Sequence, residues 1–70
     1  MIRVDVMQAW QGTAAGVLSK IGAIQDSGYT SGSTEYSFIV ETKKSPDKVR
    51  ELLFGTGMHW AKVRKHDPSW

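Results

Sequence analysis

Seventy residues make one small domain, 1–70, and a chain of this length buries only about 60% of its unfolded surface, so its core is small. It contains no cysteine, which excludes a disulfide framework or a thiolate metal site and leaves well-packed regular elements, or a second copy of the chain, to stabilise it. The net charge of +2 is uneven: residues 1–41 carry Arg3 and Lys20 against Asp5, Asp26, Glu35 and Glu41, while residues 42–70 carry Lys43, Lys44, Lys48, Arg50, Lys62, Arg64 and Lys65 against Asp47, Glu51 and Asp67, an asymmetry that points to an acidic partner.

The 40% hydrophobic and 23% charged content is that of a folded globule rather than a disordered tail. No apolar run approaches the ~18 residues of a membrane span, and Arg3 and Asp5 interrupt the first apolar stretch where a signal peptide would be continuous. A cytoplasmic location and no membrane partner are the expectation.

The chain opens with Ile2, Val4 and Val6 alternating with Arg3, Asp5 and Met7, the period of two of a strand with one buried face. Gln11-Gly12-Thr13 breaks the alternation, with Thr13 as the expected N-cap. Ala14, Val17, Leu18, Ile21 and Ile24 then recur at helical spacing, predicting an amphipathic helix over 14–26, closed by Ser27-Gly28. Gly16 and Gly22 each cost that helix about 1 kcal/mol relative to alanine, and with Ala15 and Ala23 they would let it lie close on a sheet.

Thr30-Ser31-Gly32-Ser33 reads as a turn, and Tyr29 to Ser31 is either a short strand of a hairpin or an irregular loop. Tyr36, Phe38 and Val40 alternate with Ser37, Ile39 and Glu41, a strand whose aromatic side faces the core. The clearest local signal follows. Ser45 is an N-cap, Pro46 suits the first helical position and Asp47 lies at the positive end of the helix dipole. Val49, Leu52 and Leu53 form the apolar stripe of this helix, and Gly55 and Gly57 stop it. From His59 to His66 the chain alternates again, with Ala61 and Val63 inward and Trp60, Lys62, Arg64 and His66 outward, until Pro68 ends the strand.

The order strand, helix, short strand, strand, helix, strand predicts an α+β fold, a ferredoxin-like βαββαβ sandwich with two helices on one face of an antiparallel sheet. That fold sets the first strand beside the third and the last at an edge, so Arg3, Asp5 and Met7 would share the uncovered face with Trp60, Lys62 and Arg64. An uncovered sheet face is where such folds bind or form homodimers.

The run Gly16 to Gly22 after a first strand, followed by Tyr36 to Glu41 and Ser45 to Leu53, resembles the ACT domain across most of the chain. The resemblance implies a small ferredoxin-like regulatory module that binds amino acids, usually as a dimer. That family has an acidic-x-proline-glycine turn before the first helix, whereas Thr13-Ala14-Ala15-Gly16 matches it only at Gly16. Tyr36 to Val40 is also similar to a strand signature of RNA-recognition motifs, which implies Tyr36 and Phe38 as a base-stacking platform. Turning those rings outward would drive Ser37, Ile39 and Glu41 into the core, so the pattern assigns Tyr36, Phe38 and Val40 to the interior.

Catalysis has little support. His59 and His66 are too few for a histidine metal site, no nucleophile elbow occurs among the serines, and Gly55-Thr56-Gly57 follows a helix instead of opening one. No enzyme activity and no cofactor are expected. The candidate binding residues are the stripe Trp60, Lys62, Arg64 and His66, with Arg3 on the neighbouring strand and Trp70 at the terminus, since tryptophan and arginine dominate interface hot spots. Trp10 reads as a lid on the core, and Lys43, Lys44, Lys48 and Arg50 as solvated groups. The expected function is that of a non-enzymatic adaptor or inhibitor docking on a protein partner. A nucleic-acid binder using the basic second half is the first alternative, and an ACT-like small-ligand regulator is the second.

Overall fold

The computed structural model of the chain describes residues 1–29 and 34–66. It is an α+β protein in which strands β1 (Ile2–Met7), β2 (Ala23–Tyr29), β3 (Glu35–Glu41) and β4 (Lys62–Lys65) form one antiparallel sheet in the order β2-β3-β1-β4. Helices α1 (Gln11–Ile21) and α2 (Pro46–Gly55) join the strands. On the covered face Val4 of β1 is level with Phe38 of β3 and Val63 of β4, and Ile2 is level with Val40. Ala14 and Leu18 of α1, Val49 and Leu53 of α2, and Met58 complete a single buried cluster with these strands. Both helices thus cover one face, and each large side chain buried there contributes about 1.5–3 kcal/mol.

The helix expected over 14–26 is displaced. It begins at Gln11, directly after a 3₁₀ turn over Gln8–Trp10, with Trp10 at the N-cap position and no side-chain cap. Thr13 lies inside the first turn and is exposed. The chain leaves β1 already anchored, because the Gln8 N–H donates to the Thr34 carbonyl (3.0 Å) and Trp10 packs on the core, so the helix starts three residues early.

It also ends early. Gly22 lies so close to β3 that a Cβ there would collide with the Glu41 carbonyl oxygen and meet the Thr42 Cβ at 2.9 Å. The Thr42 hydroxyl donates to the Ile21 carbonyl (2.8 Å), satisfying a helix-end acceptor from outside the helix. Residues 23–26, expected to be helical, therefore open strand β2, with a register shift between Ile24 and Asp26. Tyr29 ends that strand, and the rest of the expected 29–31 segment lies outside the described residues.

The second helix follows its local signals. The Ser45 hydroxyl accepts the Lys48 N–H at 3.3 Å, and Pro46 and Asp47 occupy the first turn. At the other end Gly57, at φ 95°, reverses the chain, while the Met58 N–H reaches the Leu53 carbonyl and the Gly57 N–H the Phe54 carbonyl, both at 3.0 Å. This Schellman closure drives Met58 into the core.

Candidate functional site

The sheet face turned away from the helices holds alternate residues of every strand. From the register, two rows cross it: Arg64, Arg3, Ile39 and Asp26 at one level, and Lys62, Asp5, Ser37 and Gly28 at the next. Met7, 46% exposed, stands beside Glu35 further along β1 and β3. Among the described residues of β1, β3 and β4, no aromatic side chain stands on this face. Phe38 is buried and Tyr36 packs against the core beneath, so no stacking platform of the RNA-recognition kind is presented.

The centre of the face is a charged network rather than a loose polar surface. Asp5 is 7% exposed although no helix covers it. The Ser37 hydroxyl donates to Asp5 Oδ1 at 2.6 Å, the Arg3 Nε donates to the same oxygen at 3.1 Å, and Arg64 Nη2 stands 3.9 Å from Oδ2. Arg3 Nη2 also reaches Ser37 Oγ at 3.4 Å. Burial pushes the Asp5 carboxyl up, but the Ser37 hydrogen bond, the Arg3 hydrogen bond and the charges of Arg3 and Arg64 outweigh it and hold the group below the ordinary carboxylate value. The carboxylate is thus ionised at neutral pH and holds the Arg3 guanidinium through its Nε.

Lys62 leans the other way, over β1, to Glu35 on β3 at 3.4 Å. The Lys62 and Arg64 side chains remain 70% and 64% exposed, so both cations are accessible to a partner. At the opposite, β2 edge of the face the absence of a side chain at Gly28, opposite Ser37, leaves an open groove of about 340 Å³ lined by Arg3, Asp26, Ser27, Gly28, Tyr29, Ser37 and Ile39.

Of the residues expected to form the binding stripe, Arg3, Lys62 and Arg64 do come together here. His66 lies just beyond β4, where its N–H donates to the Met1 carbonyl at 2.9 Å. Trp60 does not belong to the stripe. Residues 59 and 60 form a turn and β4 begins only at Lys62. The Trp60 ring packs against the hydrophobic core and stands edge-on to Trp10, with centroids 5.6 Å apart. The reversal at Gly57 and the burial of Met58 swing residue 60 off the strand register that its alternation implied. Trp70 lies outside the described residues.

Asp5 and Ser37 are the members that sequence reasoning missed. A polar residue at an outward strand position reads as solvated, and the partners that bury Asp5 are supplied from β3 and β4. The basic second half is also not one patch: Lys48 and Arg50 lie on α2, on the covered side of the sheet, paired with Glu51 and Asp47. Arg50 further donates to the Val63 carbonyl at 3.0 Å, a structural tie between α2 and β4. The chain matches no protein-family model, no curated protein and no solved structure significantly.

Proposed function

We propose that this chain is a non-enzymatic binding module with a ferredoxin-like βαββαβ arrangement, working as an adaptor or inhibitor that docks a protein partner on its open sheet face. The observation that carries the reading is the ordered charge on that face. Arg3 is held by Asp5 and Ser37 in one geometry, and the accessible Lys62 and Arg64 stand beside it. Preorganised arginine level with the half-buried Ile39 of β3 is the composition of an interface centre, because less side-chain entropy remains to be lost on docking. Among the described residues, β1, β3 and β4 present no exposed ring on this face for single-stranded nucleic acid to stack upon, and the exposed Tyr29 lies at its β2 edge, a layout that favours a protein partner.

The test is affinity capture with two double variants. Lys62→Ala with Arg64→Ala should lower partner recovery tenfold or more, while Lys43→Ala with Lys48→Ala, away from this face, should leave it unchanged. Equal losses from both pairs, or recovery abolished by nuclease and by moderate salt, would replace the protein-docking reading with nucleic-acid binding.

A further inference from the structure

We infer that a second copy of this chain occupies the open face, packed face to face about a two-fold axis running along the strands. This rests on the reading of the face as a docking surface and names its occupant. Each of the two rows is basic at its β4 end, Arg64 in one and Lys62 in the other. At the β2 end the first row finishes in Asp26 and the second in Gly28, which carries no side chain.

A two-fold axis parallel to the strands and passing between β1 and β3 preserves the level along each strand and exchanges the two edges. It sets Arg64 of each copy over Asp26 of the other. Lys62 comes over the groove at Gly28, whose wall includes Asp26, and Arg3 comes over Ile39. An axis across the strands would instead lay β4 on β4 and bring Lys62 and Arg64 against their own kind. The charge layout therefore selects one dimer geometry.

Aligned sheets pack at about 30° to one another, which displaces the row ends by only about 4 Å at the ~4.8 Å strand spacing, within reach of arginine and lysine. The Lys62 and Arg64 side chains are exposed enough to exchange partners, while Asp5 keeps its Arg3 and Ser37 hydrogen bonds. Four strands by about six residues give a face of roughly 19 by 20 Å, so the dimer is small, concentration-dependent and displaceable by another protein.

Sedimentation equilibrium at low salt, from about 10 μM to about 1 mM, tests this. The wild-type mass should rise from 7.8 kDa toward twice that value. Arg64→Asp or Asp26→Arg should each weaken association tenfold or more, because both symmetric contacts become repulsive. A 1:1 mixture of the two variants should associate again, since that heterodimer pairs opposite charges at both contacts. Amide NMR dispersion verifies folding; should R64D fail to fold, D26R, at an exposed site remote from Asp5, carries the test. A wild-type mass of one chain throughout, or a dimer that D26R leaves within twofold of wild type, overturns the second-copy assignment. Neither result alters capture through Lys62 and Arg64, which decides the docking reading separately.

Discussion

Asp5 stands on an uncovered sheet face and is still nearly excluded from solvent, because Arg3, Ser37 and Arg64 close over it. Its folded carboxyl is held low, so its stabilising contribution is complete above the unfolded value of about 4. That contribution is lost as pH falls through this range toward the lower folded value. Asp5→Asn should cost about 1–3 kcal/mol at pH 7 in urea denaturation, the range for a buried, charge-assisted hydrogen bond. The wild-type advantage over this variant should shrink on acidification to pH 3; parallel stability curves would show that Asp5 is not held ionised by its neighbours. None of this was legible in the alternation of Ile2 to Met7. That pattern assigns Asp5 to the outward face, which is correct, but its burial depends on Ser37 and Arg64, which are distant in sequence and adjacent only across the ladder.

At the scale of elements, helix α2 was legible almost residue by residue because its signals are local: a serine cap, a proline at the first position and a glycine that reverses the chain. Ser45→Ala should therefore cost about 1 kcal/mol in thermal or chemical denaturation, the usual loss for an N-cap. The end of α1 was not legible, because Ile21 and Ile24 continue the helical spacing and the break is imposed by β3. There the Glu41 carbonyl leaves no room for a Cβ at residue 22. Gly22→Ala, which would favour a longer helix in isolation, should instead destabilise the protein by about 2 kcal/mol or more, since the obstacle is backbone. A stability equal to wild type would contradict this account of the boundary. Trp60 was misplaced for a related reason: the alternation from His59 to His66 is continuous, but the Schellman turn pulls Met58 inward and sets the Trp60 ring against Trp10. Trp60→Ala should accordingly lower stability by about 3 kcal/mol, an effect on folding rather than on capture alone. A fold of wild-type stability with capture lost would return Trp60 to the binding surface.

Across the molecule, the two helices gather the apolar core on one side of the sheet, and no described element covers the other, largely polar and charged side. The alternation in β1 and β3 made this division readable in the sequence, and it placed Arg3, Lys62 and Arg64 on one face. The acidic end of the first row, Asp26, was not readable, because it depends on β2, which the sequence assigned largely to a helix. The layout separates two predictions: charge changes at the exposed Lys62 and Asp26 alter association and leave the fold intact, whereas changes at Gly22 or Trp60 do the reverse. The direct measurement is site-directed photo-crosslinking, with a photoreactive side chain at Ile39 in the middle of the open face and, in a second protein, at Lys48 on α2. Adducts to a protein, whether a partner or a second copy, should form from position 39 and not from position 48. Adducts from position 48 alone, or equal yields from both, would contradict the open face as the docking surface.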